Sequence, residues 1–184
     1  MNSFLRSFIF TIILTSSLLG FSQESHQTNP IPDFGFTFEV PNPDFETDTT
    51  SELKVVFDIT SKSKDENEVN GFIESAARFI NMNVKAGVPA KNIKVAMVFH
   101  STAINDILNN DAYLKRNPKS INGNPNTKLI TELSNFGTQI IVCGQTAAAA
   151  HISKNEFLPE VKVALSAMNA LVQLQNEDYQ LIKF

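Results

Sequence analysis

The chain has 184 residues, of which 42% are hydrophobic and 18% are charged, and its formal net charge is -4. These values are typical of one soluble globular domain and exclude a disordered, fibrous or multi-span membrane protein, while the acidic balance disfavours nucleic acid as a partner. The chain contains a single cysteine. It therefore has no intramolecular disulfide framework, and no zinc or iron–sulfur site built from cysteines alone.

The first 22 residues have the pattern of a secretory signal peptide. One positive charge, Arg6, precedes an apolar run that ends in small residues at Gly20 and Ser22. Threonines and serines interrupt this run, and it is shorter than the roughly 20 apolar residues that span a bilayer, so we expect no stable membrane anchor. Cleavage near Ser22 predicts a secreted or periplasmic protein.

Residues 23–51 form an N-terminal arm rich in proline and phenylalanine. Its four prolines disfavour a helix or a central strand. Its phenylalanines alternate at Phe34, Phe36 and Phe38, which favours an extended segment lying against the domain or against a neighbouring subunit. A flexible spacer between the signal peptide and the domain is the alternative.

From residue 52 to residue 184, patterns typical of strands and helices alternate along the chain. Short β-branched or apolar runs predict strands at residues 53–59, 93–99, 139–143, 161–165 and 179–183. Helical spacing predicts helices at residues 65–85, from Ser101 or Thr102 to 108, from Asn126 or Thr127 to 136, at 146–152 and at 167–175. Residues 109–125, which contain several asparagines and prolines, are predicted to form a long connection.

This alternation predicts a three-layer α/β/α sandwich with a mainly parallel five-stranded sheet, because parallel neighbours are usually connected through a helix. No glycine-rich phosphate-binding motif follows the first strand. The sequence thus predicts neither a dinucleotide cofactor nor a nucleoside triphosphate site, and we expect no other cofactor.

Candidate functional residues lie where the predicted strands end, since ligands of open parallel sheets bind at the carboxyl ends of the strands. The polar, small or nucleophilic residues at these ends are Asp58, His100, Ser101, Cys143, Gly144, Gln145 and Ser166.

Cys143 is the one intrinsic nucleophile of the chain, and Gly144 behind it permits a tight turn. Such a turn would aim the first backbone N–H groups of the next helix at the sulfur and favour the thiolate. The alternative is a cysteine buried as a small hydrophobic residue. His100 could act as a base or cation near the thiol, or it could be hydrogen-bonded to a loop without a chemical role.

Two other chemistries have weaker support. A metal site made of Cys143, His100 and His151 lacks a recognised ligand spacing, so no metal is expected. A hydrolase or transferase that uses Cys143 with His100 needs an orienting acid, which the sequence pattern does not place.

Several segments together resemble the DsrE/DsrF-like family, in particular its secreted members. The central segments are residues 140–145, with Cys143-Gly144-Gln145, and residues 157–168. Further similarity lies at residues 55–60, 95–100, 124–126 and 179–182. One departure is His100-Ser101, because the second strand of the family usually ends in His-Gly.

The resemblance implies a small α/β domain that assembles into homo-oligomers, either trimers or hexamers. It also implies that Cys143 holds sulfur as a persulfide, received from a thiol or persulfide donor and passed to an acceptor. His100 and the following helix would stabilise the thiolate. The competing hypothesis is a non-catalytic secreted oligomer that binds a ligand or partner and in which Cys143 is structural.

Overall fold

Five parallel strands form the sheet of this protein, whose computed structural model describes residues 29–184. The strands are β1 (Leu53–Ile59), β2 (Ile93–Phe99), β3 (Gln139–Cys143), β4 (Val161–Ala164) and β5 (Gln180–Lys183). Their order across the sheet is β4-β3-β2-β1-β5, and every neighbouring pair is parallel. The predicted α/β fold is confirmed, with a sheet that is entirely parallel. The predicted signal peptide lies outside the described residues.

The helices cover the two faces of the sheet unequally. They are α1 (Gly71–Lys85), α2 (Asn110–Arg116), α3 (Thr127–Phe136), α4 (Gly144–Ala149) and α5 (Ala167–Asn176). The first four helices contribute to the larger apolar core, whereas α5 alone supplies the helical side of a smaller core on the other face. None of the helices within residues 29–184 is both long and apolar enough to cross a bilayer.

Side-chain alternation along the strands determines what reaches each face. In β1, Phe57 and Ile59 belong to the larger core, whereas Val56 belongs to the smaller one beneath α5. Asp58 follows the same alternation as Val56 and therefore points to the α5 side. Cys143 also packs in the smaller core. The α5 face of the sheet is consequently the one that carries polar and nucleophilic side chains.

The predicted helix at 65–85 begins later than expected, at Gly71. Asn70 occupies the cap position, and its side-chain oxygen accepts a hydrogen bond from the Phe72 N–H at 2.9 Å. Residues before it form a turn, in which the Asp65 carboxylate accepts from the Asn67 N–H. Side-chain acceptors next to the backbone compete with helical hydrogen bonds, which explains the later start.

Three further elements differ from the prediction. The expected long connection at 109–125 contains α2, whose first turn is capped by the Asn109 side chain. The helix expected from Ser101 or Thr102 is a 3₁₀ helix, Ser101–Ile107, with His100 at the cap position. The helix expected at 146–152 is α4, which starts at Gly144 because Cys143 itself is the cap residue.

The first described part of the arm packs on α1. Ile31 is fully buried, and its backbone N–H and C=O both bind the side chain of Asn81, at 3.0 and 2.8 Å. The same side chain donates to the carbonyl of Phe34 at 2.9 Å. Residues 29–35 are thus held by the domain, whereas Phe36, Phe38 and later apolar side chains of the arm are exposed.

Candidate active site

A cavity of about 260 Å³ lies at the carboxyl end of the sheet, beside the start of α5. It is lined by Asp58, His100, Cys143, Gln145, Ser166, Ala167, Met168 and Leu171. Five of these are residues that the strand ends predicted. Larger cavities occur elsewhere in the described chain, but neither a cysteine nor a histidine lines them. Unlike those cavities, this one is lined by both a cysteine and a histidine.

Cys143 ends β3 and caps α4, so the helix begins at the sulfur. The Thr146 N–H donates to Sγ at 3.4 Å. Burial raises the pKa of the thiol, but hydrogen bonds from the Thr146 hydroxyl and from the backbone N–H groups of Thr146, Ala167 and Gln145 together outweigh it and lower the pKa. The thiol is only 5% exposed. The local backbone thus favours the thiolate in a site that excludes most water.

Gly144 does not line the cavity, and its role is steric. A Cβ at this position would lie 2.5 Å from the carbonyl oxygen of Ala164. No real Cβ contact is this short, and a backbone oxygen has little freedom to yield. A glycine here lets the turn after Cys143 pass beneath the end of β4, which brings α4 to the sulfur.

His100 and Asp58 form a close pair at the ends of β2 and β1. The Nε2 of His100 lies 2.7 Å from Oδ1 of Asp58, whose carboxylate is buried. The other carboxylate oxygen, Oδ2, lies 3.6 Å from the Nζ of Lys183, an exposed residue of β5. The structure thus places an acid against His100, which the sequence pattern did not.

Ser101 lies beside the cavity rather than in its lining. Its φ is 54°, in the left-handed region that favours glycine. The backbone therefore keeps the conformation for which the His-Gly pattern is suited, although a serine stands there.

Ser166, between β4 and α5, and Gln145, in the first turn of α4, also line the cavity. The Ser166 Oγ accepts a hydrogen bond from the Asn169 N–H at 3.1 Å and so caps α5. Its position in the cavity wall follows from this cap. The Gln145 side chain is exposed at the rim.

Sequence reasoning missed the apolar wall of the cavity and the nearby cation. Ala167, Met168 and Leu171 come from the first turns of α5, and their spacing is the available signal, since residues three and four apart share one helix face. Lys183 gave no such signal, because its proximity to Asp58 depends on β5 pairing with β1.

His151 is not part of this site. It follows the end of α4, has a φ of 51° and is exposed. Within residues 29–184, no group of three or more histidine, cysteine, aspartate or glutamate side chains is arranged to hold a metal ion.

Fold and site together define an all-parallel α/β domain with a cysteine at the end of its third strand. The model of the DsrE/DsrF-like family matches residues 54–184, and the chain belongs to this family. The match begins after the arm, so the arm lies outside the family domain. No curated protein matches the chain significantly in sequence.

Two solved structures share the fold. One is MTH1491 from Methanobacterium thermoautotrophicum, described as a protein of unknown function, with 21% identity and a TM-score of 0.52. The other is the YchN protein from E. coli, with 14% identity and a TM-score of 0.52. Each comparison covers 72% of this chain and 99% of the other chain. At these identities the similarity establishes the fold.

Proposed function

We propose that the protein is a sulfur carrier in which Cys143 holds a persulfide. The thiolate would take a sulfane sulfur from a thiol or persulfide donor and pass it to an acceptor thiol by exchange. Membership of the DsrE/DsrF-like family supports this proposal, because the family is linked to sulfur relay. The observation that carries it is the convergence of backbone N–H groups on the Cys143 sulfur, which lowers the pKa of the thiol.

The cavity favours exchange with one small sulfur-bearing group at a time. Its volume of about 260 Å³ leaves room for a persulfide sulfur and the end of a donor, and much of its wall is apolar. A persulfide kept in such a wall is shielded from bulk water and from other thiols. Transfer then depends on a donor or acceptor that reaches the cavity past the exposed Gln145 side chain.

We further propose that the protein acts outside the cytoplasm, after cleavage near Ser22, and that it works as a homo-oligomer, a trimer or a hexamer. The signal-peptide pattern of the first 22 residues supports the location. Exposed apolar side chains at Leu165, Met168 and Val172 support association, because they form a surface that a partner subunit would cover.

The intact mass of the purified protein, before and after incubation with inorganic polysulfide, tests the carrier function. We expect whole sulfur atoms to be added, to be removed by a reducing agent, and to be absent from Cys143→Ser. Persulfide addition that persists in Cys143→Ser would contradict the proposal, as would no addition to a folded protein.

A second candidate function is a non-catalytic oligomeric module that binds a ligand or partner. The low exposure of Cys143 favours this alternative, because a buried cysteine often acts only as a small hydrophobic residue. Alkylation rates distinguish the two. A carrier thiol reacts with iodoacetamide in the native protein, with a pH midpoint below that of the unfolded chain. A structural thiol reacts only after unfolding.

A further inference from the structure

We propose that Asp58 is a positioning residue for His100, and that the free nitrogen of His100, Nδ1, exchanges the proton of the thiol chemistry at Cys143. This inference rests on the proposed function in so far as it concerns sulfur transfer. It goes beyond that function because it assigns a specific atom to proton transfer, and a specific acid to holding that atom in place.

The bond between His100 and Asp58 determines which ring nitrogen is available. Asp58 is buried, and its Oδ1 lies 2.7 Å from Nε2 of His100. An ionised carboxylate only accepts hydrogen bonds, so Nε2 carries a hydrogen and donates it. Nδ1 is then the nitrogen that gains or loses a proton, and it makes no hydrogen bond within residues 29–184. This is how a carboxylate orients a histidine that acts as an acid or base.

Strand register brings His100 next to Cys143. Phe99, the last residue of β2, pairs with Val142 of β3, and His100 and Cys143 each follow directly in sequence. Neighbouring strands lie about 4.8 Å apart. Both residues line the same cavity, so the imidazole ring and the sulfur face one common space.

The other groups around His100 and Asp58 support the choice of His100 as the residue that transfers the proton. The Nζ of Lys183 in β5 lies 3.6 Å from the second oxygen of Asp58, so a cation as well as the imidazole flanks this carboxylate. Neither α4 nor α5 carries a titratable side chain. Within these strand ends and helices, His100 is therefore the one imidazole that lines the cavity with Cys143.

The transfer step balances without an oxidant or a reductant. Nδ1 takes the thiol proton, and the Cys143 thiolate attacks the outer sulfur of a donor persulfide R–S–SH. A new S–S bond forms at Cys143, and the S–S bond of the donor breaks. The leaving thiolate RS⁻ then takes the proton from Nδ1. The products are the Cys143 persulfide and RSH, and His100 is again neutral.

The test uses two disulfides that differ in their leaving group. Ellman's reagent releases an aromatic thiolate that needs no proton, whereas bis(2-hydroxyethyl) disulfide releases an alkyl thiolate that does. Both rates are proportional to the fraction of Cys143 that is ionised, so their ratio does not depend on this fraction. General acid catalysis contributes about 10²- to 10⁴-fold, so we expect Asp58→Asn to lower the alkyl rate about 10- to 100-fold relative to the Ellman rate.

Four further variants complete the design. His100→Gln should show the same loss, and adding Asp58→Asn to it should cause no more, because Asp58 acts through His100. Asp58→Glu should restore part of the alkyl rate. Asp178→Asn is the matched control, since it makes the same chemical change at an exposed position away from the cavity, and it should leave both rates unchanged.

Equal losses with both disulfides in Asp58→Asn would overturn the proposal, and so would additive losses in the double variant. If Asp58→Asn does not fold, the ratio in His100→Gln decides the same question. Neither disulfide supplies sulfane sulfur, so the result does not depend on persulfide formation. If Asp58→Asn selectively lowers the alkyl rate but polysulfide adds no sulfur to the original protein, the carrier function is rejected. The roles proposed for Asp58 and His100 are then still supported.

Discussion

At the residue scale, Ser101 occupies a backbone conformation that is unfavourable for any residue with a Cβ. Its φ of 54° is in the left-handed region, which costs a non-glycine residue about 1–2 kcal/mol. Replacing Ser101 by glycine would remove this cost, but the larger conformational entropy of glycine in the unfolded chain would offset part of the gain in stability.

We therefore expect Ser101→Gly to raise the free energy of unfolding by about 0.5–1 kcal/mol, measured by urea denaturation. Ser101→Ala is the control, because it removes the hydroxyl but keeps the Cβ, and it should change stability little. Equal stability of the glycine and alanine variants would show that the left-handed conformation carries no cost here.

Asp106 is a buried carboxylate that does not line the cavity. It is 1% exposed, and its Oδ2 accepts hydrogen bonds from Asn70 Nδ2 at 2.6 Å and from the Ser63 N–H at 2.8 Å. Burial raises the pKa of Asp106 above its ordinary value, and these hydrogen bonds, together with Lys62, offset only part of the effect. The ionised form is therefore disfavoured in the folded protein.

A raised pKa in the folded state means that the folded protein binds the proton first as pH falls. The contribution of Asp106 to stability should thus increase as pH is lowered through the folded pKa, and level off below the unfolded value near 3.8. Because Asp106→Asn removes this titration, the stability of the original protein minus that of the variant should rise between neutral pH and about pH 4. Urea denaturation across this range measures the difference, and a constant difference would contradict the prediction.

The candidate site shows what can be predicted from individual residues. The sequence predicts Cys143, His100 and Asp58 as site residues, because the strand pattern shows which residues lie at the carboxyl edge of a parallel sheet. The hydrogen bond between His100 and Asp58 cannot be predicted from the strand pattern. It depends on β1 and β2 being neighbours in a particular register, which is a property of the folded sheet.

At the element scale, the arm is attached to α1 by one buried asparagine. Asn81 is fully buried, and its side chain satisfies both backbone groups of Ile31 and the carbonyl of Phe34. A buried backbone group without a partner costs about 1–3 kcal/mol. The arm segment 29–35 therefore depends on this side chain.

We expect Asn81→Ala to release this segment, so that the Ile31 amide exchanges hydrogen about 10- to 100-fold faster, corresponding to a loss of about 1.4–3 kcal/mol. Hydrogen exchange followed by mass spectrometry or NMR measures it. Asn83→Ala is the matched control on the same helix, because the Asn83 side chain donates to Phe79 within α1 and binds no part of the arm from residue 29 onwards. Equal exchange in the two variants would show that Ile31 is held by apolar packing instead.

Predicted elements are most accurate where a long apolar pattern defines them. The three strands at residues 53–59, 93–99 and 139–143 begin and end as predicted. The starts of helices are predicted less accurately, since they depend on caps such as Asn70 and Asn109 that bind specific backbone groups. In residues 109–125, which contain several asparagines, an asparagine can either form a turn or start a helix. The local sequence does not decide between these two structures.

At the scale of the whole molecule, α5 presents an uncharged surface. Residues 165–176 contain no charged side chain, and Leu165, Met168 and Val172 are 71%, 76% and 57% exposed. Interface cores are depleted of charge and enriched in methionine. For a chain of net charge -4, an uncharged face is also where two copies meet with the least repulsion.

If this face is a subunit contact, Val172→Asp should weaken self-association at least about tenfold, because it buries an unpaired charge. Sedimentation velocity at micromolar concentration measures the change. Leu114→Asp is the control, since Leu114 is an exposed leucine of α2, a helix that packs in the larger core and not in the core beneath α5. A monomeric original protein, or an equal effect of both variants, would exclude the α5 face as the contact.

The sheet order has a consequence for how the chain completes its fold during synthesis. The last strand, β5, pairs with the first, β1, so one edge of β1 stays open until residue 183 is available. Pairs this far apart in sequence form late and slowly. An incomplete chain therefore exposes the edge of β1 and lacks Lys183 beside Asp58. Removal of residues 180–183 would leave β1 without this neighbour, so the β5 segment determines when the sheet is complete.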